Sequence, residues 1–449
     1  MKRRTPVLAI ATLAVIGASY VRWSPHPSGS ADTARPDAAA LLQSANVGRT
    51  EVTRLIGAFE VQVARQPTAA GYKFLAQLYL DRGRLTGDVA TYGQAHTALD
   101  RAAELAPADR ETDTLLAAVL ATTHDFAGAA AGARAVIADN PHDLGAAAVL
   151  GDAQLELGDY DGATTTYKRL AADSPDAAAV LVRQARLAFL TAHVDDARTL
   201  AKRAKDQASA SAFAGVALAF YSTFQGQIEH DTGHYAKAAT YYRQALREAP
   251  GYYIALAGLA RELAAEGRVS AAIDEYRHAI EVVPQPDAVA ALGDLYRLRH
   301  DDANARTQYD TVGAIATLAA LNRQVYNRAL VVYDADHDTN IDEAVRMAET
   351  ELTVRHDIYG YDTYAWALYK AHRYDEAQAA ATKALGLATP DARLLYHAGM
   401  IDAALGNDLS ARDRLRHALA ISPNFDPVNA PIARSALTTI ERHLAGGTK

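Results

Sequence analysis

The chain has 449 residues, of which 45 are basic and 53 acidic, and its formal net charge is −8. Half of the residues are hydrophobic, which excludes a disordered chain and predicts several ordinary domains or one long repeat array. Cysteine is absent, so disulfides, thiolate metal sites, cysteine nucleophiles and a lipid anchor on cysteine are excluded.

The charge balance also bears on partners. Residues 1–30 hold four basic residues and no acidic one, so without them 41 basic residues face 53 acidic ones, a net charge near −12. Nucleic-acid binding depends on a clustered basic surface, and we therefore expect no nucleic-acid partner.

The first 23 residues, MKRRTPVLAIATLAVIGASYVRW, resemble an export signal or a membrane anchor, because basic residues precede the apolar run 6–21. The run is shorter than the ~20 residues that span a bilayer comfortably, which favours a cleaved signal. No clear small-residue cleavage site follows, so a tether to the inner membrane through residues 6–21 stays open. Either alternative predicts a periplasmic or secreted protein. Residues 24–48 are predicted to be a flexible linker.

A period of 34 residues organises the rest of the chain. It is marked by prolines at 107, 141 and 175, and again at 250 and 284. Within one period the sequence places small, turn-forming and large residues in order: Leu150, Gly151, Gly158, Asp159, Tyr160, Ala163, Tyr167 and Pro175. Small residues let two helices approach closely, Gly-Asp forms the turn between them, and proline ends the unit.

These residues and their spacing resemble the tetratricopeptide repeat family, whose period is 34 residues. The resemblance implies an all-α fold, a right-handed superhelical solenoid of helix-turn-helix repeats. It further implies a concave groove, lined by the first helix of each pair, that binds extended peptides or partner helices.

The repeat frame predicts ten helix pairs between two capping helices. We expect an N-terminal capping helix at 49–66, seven pairs over 67–313, three pairs over 314–427, and a C-terminal capping helix at 428–445. The eighth pair is predicted to be elongated, with a first helix from Ala314 to Tyr333. Caps of this kind cover the apolar faces of the end repeats.

The turn of the eighth pair belongs to the stretch DADHDTNIDEAV, from Asp334 to Val345. Its oxygen-bearing side chains partly match a calcium loop, but Thr339 replaces the glycine of the sharp turn and Val345 replaces the bidentate glutamate. The IDEA segment also matches YDEA at 374–377, at the start of a second helix. A capped, elongated turn is favoured, and a calcium-dependent binding module that uses residues 334–342 is the alternative.

Aromatic and charged residues are most concentrated in the first helices of the last three pairs. Such side chains dominate binding hot spots, so they are the predicted partner-binding residues: Asn327, Arg328, Tyr359, Asp362, Trp366, Tyr369, Lys370, Arg393, Tyr396 and His397. No phosphate loop, nucleophile elbow or acid–base pair is recognisable. We therefore expect a non-enzymatic, extracytoplasmic scaffold without cofactor or metal, which binds a protein or peptide. The sequence does not indicate its oligomeric state.

Overall fold

A computed structural model describes residues 49–88, 90–210, 215–321 and 327–446. Within these ranges the regular secondary structure is α-helical throughout, which confirms the predicted all-α class. None of the described helices is both long and apolar enough to cross a membrane. The predicted signal or anchor at 1–23 and the linker at 24–48 lie outside the described residues.

Two flanking helices and ten consecutive helix pairs make up the described chain. The first half comprises α1 (Arg49–Arg65), α2 (Ala69–Thr86), α3 (Ala90–Leu105), α4 (Arg110–Thr122), α5 (Phe126–Asp139), α6 (Leu144–Glu156), α7 (Tyr160–Asp173), α8 (Ala178–Leu190), α9 (Val194–Ala210), α10 (Gly215–Asp231) and α11 (Tyr235–Glu248). The second half comprises α12 (Tyr253–Ala265), α13 (Val269–Val282), α14 (Pro286–Leu298), α15 (Asp302–Leu321), α16 (Arg328–Asp336), α17 (Ile341–Glu351), α18 (Ile358–Lys370), α19 (Tyr374–Ala384), α20 (Ala392–Ala404), α21 (Asp408–Ile421) and α22 (Asn429–Gly446).

Packing and capping explain the order of small, turn-forming and large residues within each repeat. The buried ring of Tyr242 on α11 lies against Gly258 on α12, where a β-carbon would collide with it. In the turn before α7, the Asp159 side chain accepts a hydrogen bond from the Gly162 amide at 2.9 Å and so caps the helix. Small residues thus set the helix separation, and turn residues satisfy the free amides at the helix start.

The chain divides into two compact units. The first contains α1–α7 and the second α8–α22, except that 156–158 group with the second unit and 210–215 with the first. In the first unit a buried cluster from Val52 to Val119 joins α1 to the repeats that follow. The second unit is built around further clusters, one centred on α11–α14 and two on α16–α22.

The seventh and eighth pairs differ from the prediction. Instead of a long first helix from Ala314 to Tyr333, α15 continues through Gly313 to Leu321, and α16 is a short helix that begins at Arg328. The predicted boundary at 313/314 therefore falls inside a helix. The segment around Gly313 is rich in alanine and leucine, which favour helix strongly enough to accommodate one glycine. Asn327 is the N-cap of α16, because its side-chain oxygen accepts a hydrogen bond from the Leu330 backbone amide at 3.3 Å.

Candidate partner-binding surface

The acidic turn between α16 and α17 is closed by its own side chains. Asp334 is only 7% exposed, and its carboxylate accepts hydrogen bonds from the Thr339 hydroxyl and the Asn340 amide, both at 3.0 Å. Burial raises the pKa of Asp334 above its usual value, while these two hydrogen bonds act against the rise. The first carboxylate of the calcium-like pattern is therefore engaged within the turn.

Three further residues of this acidic stretch engage two other helices, α18 and α14. The Trp366 indole on α18 donates to Asp336 at 2.8 Å, and the Lys370 ammonium donates to Asp338 at 2.9 Å. His337 lies 3.0 Å from Asp294 on α14. The turn therefore fastens the short helix α16 to both α14 and α18.

This arrangement favours the elongated turn over a calcium loop. A calcium ion needs six to eight oxygens that converge on one point, whereas the carboxylates of Asp334, Asp336 and Asp338 have separate partners. Across the described ranges, no group of three His, Asp or Glu side chains is placed to hold a metal ion.

An aromatic stack occupies the region that the sequence analysis singled out. The rings of Tyr369 and His397 lie on Trp366 at 4.8 and 4.2 Å between centroids, with interplanar angles of 8° and 13°. Tyr396 is tilted against Trp366 at 5.5 Å, and His397 Nδ1 lies 2.9 Å from Asp362. Near-parallel rings at these distances attract each other beyond the effect of area burial.

Five of the predicted partner-binding residues are enclosed by the second unit itself: Asn327, Asp362, Trp366, Tyr396 and His397, all at most 3% exposed. Their hydrogen bonds and ring contacts are internal, so in this structure they position their neighbours and do not offer a contact surface. Sequence reasoning could not separate packing aromatics from displayed ones, because both occupy the same face of a first helix.

Arg328 also has internal partners. Its guanidinium donates to Glu351 at 2.6 Å and to Asp357 at 2.7 Å. Loss of solvent by itself would raise the pKa of Asp357, but Arg328 and Arg355 outweigh it and hold this pKa at about 2. Both carboxylates are almost completely buried, so the network fixes the start of α18 relative to α16 and α17.

Tyr359, Tyr369, Lys370 and Arg393 keep exposed surface. Arg393 is the most open of them, and within the described residues its guanidinium makes no hydrogen bond or ion pair. Loss of solvent alone would lower the pKa of Arg393, but nearby acidic groups, Asp391 first among them, raise it. Tyr359 lies in the same region as Arg393, because Asp391 acts on both side chains. Burial raises the pKa of Tyr359 first, and the charges of Asp391 and then Asp231 raise it further. All four side chains therefore keep some accessible surface, although Lys370 also donates to Asp338 and Tyr369 also stacks on Trp366.

Carboxylates from different repeats influence one another in two groups, which the sequence analysis did not predict. Burial and then Asp391 raise the pKa of Asp231, at the end of α10, to about 6. Burial raises the pKa of Asp426, before α22, to about 6, and Asp336 and Asp294 add to the rise. Their only sequence signal is a position at the end or start of a first helix; the fold alone brings them close enough for their charges to interact.

The stacked helix pairs of both units define an all-α repeat protein of the solenoid class. The family model for the tetratricopeptide repeat matches residues 120–180 and 230–295. These stretches include α5–α7, α11–α13 and most of α14. In these two stretches the chain therefore carries tetratricopeptide repeats, as its sequence period predicted.

Comparison with solved structures finds repeat proteins of the same kind. TTC0263, a thermophilic tetratricopeptide repeat protein of Thermus thermophilus, is 21% identical over 42% of this chain and 98% of its own, with a TM-score of 0.36. PilW, a type IV pilus biogenesis factor, is 18% identical over 46% and 94%, with a TM-score of 0.39. PilF of Pseudomonas aeruginosa is 16% identical over 44% and 88%, with a TM-score of 0.39.

No curated protein matches the sequence. The structural likenesses have TM-scores below 0.5, so no function is transferred from them.

Proposed function

We propose that this chain is a non-enzymatic, extracytoplasmic scaffold that binds a protein or peptide partner on the concave face of its second unit. The observation that carries the proposal is the exposed side chain of Arg393, which has no hydrogen-bond or ion-pair partner among the described residues and lies near the partly exposed Tyr359. Arginine and tyrosine supply much binding energy per residue, and an unpaired guanidinium retains its full capacity to donate hydrogen bonds. Tyr369 and Lys370 extend the proposed contact surface along α18.

The buried residues of the region contribute indirectly. Tyr369 and His397 both stack on Trp366, and the Lys370 ammonium lies 5.3 Å from the centre of its ring. Side chains that are held in place lose less entropy when a partner binds, which favours affinity. The proposed surface is therefore a small set of displayed side chains on a rigid aromatic support.

The proposed location follows from the sequence of residues 1–23, which resembles an export signal or an anchor. Fractionation of the native host tests it. Recovery of the chain with the envelope or the medium supports export, and recovery in the cytoplasm contradicts it.

Site-specific photocrosslinking in the native host tests the binding surface. A photoreactive phenylalanine analogue replaces Tyr359 or Arg393, and control chains carry it at Asp274 or Asp375, which are exposed on the second helices α13 and α19. We expect discrete crosslinked products from 359 and 393 that the two control positions do not give. Equal products from all four positions, or none from 359 and 393, would overturn the proposed surface.

A further inference from the structure

Two parts of the second unit that are far apart in sequence meet along a polar seam. Tyr235, at the start of α11, and Ser422, after α21, place their hydroxyl oxygens 2.7 Å apart across 187 residues. The Asn424 backbone amide donates to the Tyr235 hydroxyl at 2.9 Å, and its side-chain amide donates to the Ala265 carbonyl at 3.0 Å.

The seam continues at the preceding repeat. The buried Thr389 hydroxyl, before α20, donates to the Leu190 carbonyl at the end of α8 at 2.6 Å, across 199 residues. The repeats of the second unit therefore return on themselves, so that α20–α22 lie beside α8–α12. The mutual influence of Asp231 and Asp391, which belong to opposite sides of the seam, agrees with this contact.

Polar contacts join the two sides of the seam at the positions named above. The repeats on each side of it are held by apolar clusters, one between Ala219 and Tyr296 and the other between Ala335 and Leu444, which share no residue. The contacts across it named above are hydrogen bonds, whose net contribution is small because the same groups bond to water when separated. Each repeat of a solenoid contacts mainly its neighbours, so small changes along the array can open such a seam.

We propose that this seam, between the α8–α12 side and the α20–α22 side, is a gate that opens to admit a partner to the concave face of the second unit. The proposal rests on the proposed function, since it concerns how the same surface is reached. Closure around the partner would then slow its dissociation, because release requires the gate to open again.

Two turn glycines provide a matched pair for a test. Gly233 and Gly267 end equivalent first helices and share a φ of 76°, so a side chain strains both turns equally. A β-carbon at Gly233 would collide with the Ile421 carbonyl across the seam, whereas a β-carbon at Gly267 meets nothing within 4 Å. Gly233→Ala therefore forces the seam apart, and Gly267→Ala imposes only the strain of the turn.

Distance measurements can follow the gate, because the chain has no cysteine and accepts two spin labels without background. Ala236→Cys and Ala420→Cys place the labels on exposed positions of α11 and α21, on opposite sides of the seam. Pulsed electron paramagnetic resonance should show mainly a short distance in the labelled parent and in Gly267→Ala. The fraction of longer distances should increase several-fold in Gly233→Ala.

Tyr235→Phe is a second opening variant in case Gly233→Ala does not fold, since it removes the hydroxyl that two seam bonds share and keeps the ring. It should increase the longer distances in the same direction. Distance distributions that stay unchanged in both opening variants would overturn the gate.

A reversible lock tests the consequence for binding. Ala236→Cys and Pro423→Cys, joined by a reducible bifunctional maleimide, hold the seam shut in a chain that also carries the photoreactive group at residue 393. We expect the lock to abolish the crosslinked products and reductant to restore them. Equal products in the locked and reduced chains would reject the gate and leave the proposed function standing. Products absent from both would count against the proposed function, while the distance measurements would still decide the gate.

Discussion

The Trp366 indole N–H donates to the Asp336 carboxylate at 2.8 Å, and this bond joins the acidic turn of the eighth pair to the aromatic stack of the ninth. Both features stood out in the sequence as separate functional candidates. In the fold they form one unit, in which the turn anchors the tryptophan and the tryptophan supports the side chains displayed beside it.

Replacement of Asp336 by Ala should reduce stability through this bond. It leaves the buried indole N–H without an acceptor, which costs about 1–3 kcal/mol. Asp338→Ala is the matched control from the same turn, because its carboxylate is 73% exposed and its ion pair with Lys370 contributes less than about 1 kcal/mol. Urea unfolding followed by circular dichroism measures both; equal losses for the two variants would contradict the structural role of Asp336.

Arg328 should be important for stability, although it was predicted as a contact residue. Arg328→Met leaves the carboxylates of Glu351 and Asp357 buried without the guanidinium that pairs with them. This should lower the free energy of unfolding by about 3 kcal/mol. Because the pKa of Asp357 is lowered to about 2, its contribution is present at neutral pH and is lost as the pH falls below about 4 towards 2. Urea unfolding should therefore show a large difference from wild type near neutral pH and a small one near pH ~2. A difference that does not depend on pH would contradict this account.

Asp231 and Asp426 should oppose stability at neutral pH, because the pKa of each is raised to about 6 in the folded chain. Between about pH 4 and 6 the folded chain then binds more protons than the unfolded one, so this contribution to the unfolding free energy falls as the pH rises. Asp231→Asn with Asp426→Asn should stabilise the chain by about 1–3 kcal/mol near pH ~7 and have little effect near pH ~4.

Asparagine keeps the hydrogen-bond acceptors that Gln227 and the Asn429 amide use at these two positions. Urea unfolding at both pH values measures the effect. Asp274→Asn with Asp375→Asn, both exposed, removes the same charge elsewhere and should change stability little at either pH. A control pair that stabilises as much would show that net charge, and not the convergence of carboxylates, is responsible.

Calcium should not stabilise the acidic turn. Its carboxylates have separate partners, and binding would require them to exchange those hydrogen bonds for the ion. Thermal unfolding in millimolar calcium should give the same shift in Tm for wild type and for Asp334→Asn with Asp338→Asn. A rise in Tm that only the wild type shows would establish the calcium-dependent alternative.

Much of the fold was predictable from the sequence, because the residues that define each repeat lie close together within one 34-residue period. Gly158-Asp159-Tyr160 forms a turn wherever it occurs, and a proline 34 residues after the last one ends a helix pair in either unit. The boundary at Gly313 was misplaced because glycine usually marks a turn, whereas neighbouring alanines and leucines kept this one helical. The burial of Trp366 and the exposure of Arg393 could not be told apart from the sequence, because both residues occupy first-helix positions.

The sequence by itself determined the period, the helix pairs and hence the resemblance to tetratricopeptide repeats, since these depend on residues within one or two repeats of each other. Only the tertiary structure decided that Tyr235 meets Ser422 and that Asp231 lies near Asp391. Such contacts depend on the small rotation between successive repeats, summed over several of them. No single turn or helix determines the total rotation. Residues nearly 200 positions apart therefore become neighbours, and no local sequence pattern predicts these contacts.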